Sequence, residues 1–65
     1  MNPIIKNLKN KYQNEIDTAK TNIEIFLEKS VGVAEHIDFA TTINTELEKI
    51  AHAKDMIEAI EELDS

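Results

Sequence analysis

Sixty-five residues allow one domain and no second core. Cysteine is absent, so neither a disulfide nor a thiolate metal site can staple so small a fold, and two histidines do not replace them. The net charge of −6, from thirteen acids and seven lysines with no arginine, leaves no basic face for phosphates and speaks against direct nucleic-acid binding. A 42% apolar content arranged at helical spacing argues against disorder.

The first element starts at Asn2-Pro3, where Asn accepts from the free amides and Pro gives up no needed donor. Apolar residues follow at Ile5, Leu8, Tyr12, Ile16, Ala19, Ile23 and Phe26, a helical spacing that predicts a helix over 3–30. The only glycine, Gly32, is the natural stop, in a left-handed cap that lets Val33 pack back on Leu27. A loop is expected over 31–37. Asp38 then offers a favourable cap and a favourable charge for a second helix over 38–64. Its stripe is Phe39, Ile43, Leu47, Ile50, Ile57 and Ile60, with Ala53 or Lys54 between. Two helices of similar length joined by so short a loop must lie antiparallel.

Charge placement points the same way. Residues 1–14 carry Lys6, Lys9 and Lys11 and no acid, whereas 55–65 carry Asp55, Glu58, Glu61, Glu62 and Asp64 and no base. Each cluster opposes its own helix dipole, and a hairpin offsets this by setting the two side by side.

The stripe is wider than one partner helix covers. With Ile5, Tyr12, Ala19 and Phe26 as heptad a positions, Ile16 and Ile23 fall at e, and Ile4 and Ile25 at g. The second helix repeats this with Ala40 and Leu47 at e, and Met56 and Leu63 at g. At ~100° per residue the apolar arc spans roughly 160°. The expected fold is therefore a single all-α domain over 1–65, an antiparallel helix-loop-helix hairpin that dimerises into a four-helix bundle. Its oligomer core would be Ile5, Leu8, Tyr12, Ile16, Ile23, Phe26, Phe39, Ile43, Leu47, Ile50, Ile57 and Ile60. Self-association fits a single small core, which rarely supplies more than ~3–5 kcal/mol.

Candidate chemistry is thin. A di-metal carboxylate bundle needs inward Glu residues and Glu-x-x-His pairs. Glu48 and His52, four apart, fall on the outer face and read as a surface ion pair. His36 beside Glu35 belongs to the loop. Glu15, Asn22 and Glu46 lie at or near seam positions and read as flanking polar residues of an imperfect heptad. Tyr12 is expected to pack its ring and extend its hydroxyl to the bundle edge. No nucleophile–base pair, phosphate-cradling Gly loop or dinucleotide fingerprint is present. Catalytic, cofactor-binding and metal-ligating residues are therefore expected to be absent, and the chain not to be an enzyme.

One surface is less bland. In a hairpin, Thr18, Thr21 and Asn22 lie level with Thr41, Thr42, Asn44 and Thr45, a neutral, short-side-chain region near Ile25 and the loop. Thr21, Asn22, Ile25, Thr41, Thr42, Asn44 and Thr45 are accordingly candidate partner-binding residues. An ordinary solvated face is the simpler reading of the same residues.

The stretch Ser30-Val31-Gly32-Val33-Ala34-Glu35-His36-Ile37-Asp38, followed by an acidic amphipathic helix that includes Leu47-Glu48-Lys49-Ile50-Ala51-His52-Ala53-Lys54-Asp55, resembles small helical proteins of marine tailed phages. Those carry Val-Gly-Val-Gly-Glu-His-Pro-Asp before their second helix. The chain departs from them at Ala34 and Ile37, which allow a less sharply bent loop. The resemblance covers about half the chain and implies no known activity.

The longest uninterrupted apolar run, Ile25–Leu27, is too short for a signal peptide or membrane span, so a cytoplasmic protein is expected, in the host cytoplasm if viral. The function expected is that of a non-enzymatic oligomeric interaction module, a viral accessory protein that binds another protein. The alternative is an acidic inhibitor that mimics nucleic acid, with Asp55, Glu58, Glu61, Glu62 and Asp64 in place of phosphates.

The hairpin can be tested at Gly32. A left-handed residue there would make Gly32→Val lower the melting temperature clearly at fixed concentration, and Gly32→Asn less, since a non-glycine residue loses roughly 1–2 kcal/mol in that conformation. A rise with Gly32→Ala would instead indicate one continuous helix.

Overall fold

A computed structural model describes residues 2–31 and 37–63. Two helices, α1 (Pro3–Ser30) and α2 (Ile37–Leu63), fold against each other into a rod of about 50 × 14 × 13 Å. The Gly32 cap, the Val33–Leu27 contact, Glu35, His36 and Asp64 lie outside the described residues.

Helix α1 starts as its sequence dictates. Asn2 Oδ1 accepts from the Ile4 amide at 2.7 Å, Pro3 occupies the first turn, and the Lys6 amide donates to the Asn2 carbonyl at 2.9 Å. At its other end the Ser30 hydroxyl donates to the Leu27 carbonyl at 2.8 Å. The Val31 amide turns back to the Glu28 carbonyl at 3.4 Å, and Val31 itself is extended (φ −66°, ψ 125°). Helix α2 begins at Ile37, one residue before the expected start. Asp38 is thus not the cap but a first-turn residue, whose negative charge still complements the helix dipole.

Three contacts show that the helices are antiparallel. Phe26 meets Phe39 near the loop (ring centroids 6.5 Å apart), and Tyr12 meets His52 further along (6.2 Å). Lys9 Nζ reaches Glu61 Oε2 at 3.2 Å at the open end. This last pair joins the basic start of the chain to its acidic end, as the charge placement required.

The seam differs from the expected stripe in two places. In α1 the seam runs through 5, 9, 12, 16, 19, 23, 26 and 30 in alternating four- and three-residue steps, with Asn22 half-buried beside it. Lys9 therefore lies on the seam where Leu8 was expected, and Leu8 is exposed. Lysine is tolerated there because its aliphatic stem packs while its ammonium reaches Glu61 at the edge. In α2 the corresponding line is 39, 43, 46, 50, 53, 57 and 60. Glu46 replaces Leu47 on the line, and Leu47 is turned outward and 52% exposed.

Among the described residues the buried apolar groups between the helices are Ile16, Ala19, Ala53 and Ile60. Ile5, Tyr12, Ile23, Phe26, Phe39, Ile43, Ile50 and Ile57 are half-buried along the same lines. Small side chains at Ala19 and Ala53 leave room for the backbones to come close. That proximity makes a sharp prediction. Ala53→Leu should overpack the seam and lower stability by ~1–3 kcal/mol in urea unfolding at fixed concentration, while Ala51→Leu, on the exposed side, should change it little. Equal effects from the two would place the seam elsewhere.

Candidate functional site

The polar seam position generates the most distinctive feature of the surface. Glu46 is set into the helix interface by the 4–3 spacing and is 7% exposed. Its Oε1 accepts from Lys49 Nζ at 3.1 Å, one turn further along α2, and Lys49 itself remains 58% exposed. A buried carboxylate is expensive unless paired, and an adjacent lysine on the same helix is a local answer. Beside this pair lies an open groove of about 490 Å³, lined by Asn14, Glu15, Thr18, Ala19, Asn22, Glu46 and Lys49. A shallower depression of about 250 Å³ extends it along α1 past Asp17 and Thr21, sharing Thr18 and Asn22.

Glu15, Asn22 and Glu46, expected as separate flanking residues of the seam, are thus brought to one groove. Lys49 and Asn14 were not anticipated there. Strict 4–3 stepping from Ile43 to Ile50 passes through Glu46, and this was the available signal. Lys49 then follows as its i+3 neighbour.

The neutral candidate surface is less unified. Of its residues, Thr21 and Asn22 line the depression. The Thr21 hydroxyl donates to the Asp17 carbonyl at 3.0 Å, Thr42 to Asp38 at 2.8 Å, and Thr45 to Thr41 at 3.1 Å. These hydroxyl protons serve their own helices, which leaves acceptor lone pairs and methyl groups for any partner. Asn44 Nδ2 donates to Glu48 Oε1 at 2.9 Å, and Ile25 is exposed.

His52 also differs from expectation. It is exposed, as expected of the outer face, but Glu48 is held by Asn44, and the imidazole meets the Tyr12 ring edge-on at an interplanar angle of 77°. Lys11 Nζ lies 5.2 Å from the Tyr12 ring centroid. Tyr12 is therefore flanked by a cation and an aromatic edge, contacts of ~0.5–1.5 kcal/mol each at most. Among the described residues no group of three or more His, Cys, Asp and Glu side chains gathers as a metal site would need.

Fold and groove together define a two-helix antiparallel hairpin with an incompletely covered apolar seam and a polar groove at mid-length. No protein-family model, curated protein or solved structure matches the chain. Among the described residues no helix is long and apolar enough to cross a membrane.

The buried carboxylate should reveal itself by an asymmetry in urea unfolding at one fixed concentration. Lys49→Ala strands Glu46 and is expected to lower stability by ~1 kcal/mol, whereas Glu46→Leu, which removes the buried charge, is expected to leave it unchanged or raise it. A larger loss for Glu46→Leu than for Lys49→Ala would contradict the groove's electrostatics.

Proposed function

We propose that the chain is a non-enzymatic interaction module that works as a homodimer, two hairpins packed as a four-helix bundle, and presents its remaining surface to a protein partner. The observation that carries this reading is area. The chain exposes 4939 Å², whereas a compact monomer of 7.4 kDa exposes about 4,200 Å² by the usual scaling of surface with mass. The excess of roughly 700 Å² is close to the ~800 Å² that each partner contributes to a standard interface. It includes large apolar side chains, with Ile4, Leu8, Ile25, Leu27, Leu47 and Leu63 between 39% and 76% exposed. Among the described residues no third element lies over them.

The resemblance to phage proteins supports a viral accessory role, which would place the dimer in the host cytoplasm. The alternative, an acidic mimic of nucleic acid, requires carboxylates near the C-terminus free of cations. The Lys9–Glu61 pair takes one of them, which weighs against that reading.

Sedimentation equilibrium at micromolar concentration tests the assembly. The expected mass is twice the 7.4 kDa of one chain. A fully folded species of single-chain mass would overturn the proposal.

A further inference from the structure

Resting on the homodimer reading above, we infer that the second copy sits on the face carrying the Glu46–Lys49 groove, and that Lys49 of each copy reaches Glu15 of the other. Seven-residue spacing defines that face. Leu8 shares a line of α1 with Glu15, Asn22 and Lys29, while Ile4 and Ile25 share a line with Lys11 and Thr18. On α2, Met56 and Leu63 share a line with Lys49. The groove face therefore carries the exposed Ile4, Leu8, Ile25 and Leu63 around its polar centre. On the other side of the seam, Leu27 shares its line with Lys6, Gln13 and Lys20, and Leu47 shares its line with Lys54 and Glu61. Charged side chains are as frequent on one face as on the other, but only Leu27 and Leu47 are large exposed apolar residues there, against four on the groove face.

Charge within the groove names the occupant. Glu15 and Glu46 are two carboxylates against one ammonium, and Lys49 is hydrogen-bonded to Glu46, so Glu15 is unmatched among the described residues. Lys49 has two further N–H donors and is 58% exposed. The groove lies at mid-length, because Glu15 falls near the middle of α1 (Pro3–Ser30) and Lys49 near the middle of α2 (Ile37–Leu63). A two-fold axis through that point maps the patch onto itself and makes a Lys49–Glu15 exchange reciprocal. Each copy then supplies the cation that the other's groove lacks. The apolar ends close over the roughly 700 Å² of excess surface, and the buried Glu46 fixes the position of Lys49. A polar group at a seam can in this way set the register of a bundle.

The chain has no cysteine, so single-cysteine variants report on the face directly. Thr18→Cys, at the groove, should give a covalent dimer with a short bismaleimide, and Leu47→Cys, across the seam, should not. Glu15→Lys should weaken the dimer at least about fivefold in sedimentation, since ~1 kcal/mol is a factor of about five. Glu24→Lys, the same charge change elsewhere on α1, should not weaken it. Cross-linking through Leu47→Cys, alone or as well as through Thr18→Cys, overturns the assigned face while leaving the dimer intact. Cross-linking at Thr18→Cys with Glu15→Lys behaving like Glu24→Lys overturns the Lys49–Glu15 contact. Monomers throughout would remove both this inference and the homodimer on which it rests.

Discussion

Among the described residues each helix has only one other helix to pack against, and the rest of the structure follows from that. A single helix pair encloses only a narrow line of side chains, here Ile16 and Ala19 from α1 with Ala53 and Ile60 from α2. Two of the four are alanines, which bury little area but permit close approach. Hydrophobic stabilisation scales with apolar area removed from water, at ~25 cal/mol per Å², so a seam this thin is a weak source of it. No disulfide is available to make up the difference. The half-buried isoleucines and phenylalanines along the seam are the surface on which a further layer would act.

Polar residues on the seam are handled by two different devices. Lys9 sits at the edge of the interface, packs its stem and delivers its charge to Glu61 on the other helix. Glu46 is enclosed more deeply and is answered from its own helix by Lys49. The first device ties the ends of the hairpin together but is exposed, and contributes little by itself. The second creates a groove in the middle of the rod, because a carboxylate and its lysine occupy a place that a leucine would have filled. Near the loop, Thr42 and Thr45 bond back to carbonyls four residues earlier, which keeps a polar surface without drawing on the other helix.

Much of this architecture was legible in the sequence. Asn2-Pro3 marks the start of α1, helical spacing marks both helices, and the separation of lysines from acids at the two termini indicates their antiparallel arrangement. The phase of the seam was less legible. Leu8 and Leu47 are apolar and lie beside the true seam positions, so a reading weighted by hydrophobicity selects Leu8 over Lys9 and gives Leu47 the place of Glu46, which it leaves as a polar residue at or near the seam. Regular 4–3 spacing is the stronger constraint, because a side chain one position off is rotated ~100° away from the neighbouring helix. His52 is exposed, as an outer-face residue should be, but its ring reaches across to Tyr12 from the flank instead of pairing with Glu48. The groove depends on how two helices align, and no single segment of sequence contains that alignment.

The central claim is that the exposed apolar surface is covered by a second copy, so that folding and association are linked. The most direct measurement is the melting temperature, followed by circular dichroism, across a hundredfold range of protein concentration. Linked folding makes the melting temperature rise with concentration by mass action. A melting temperature that stays constant across that range would show that one hairpin is stable by itself and would contradict the account.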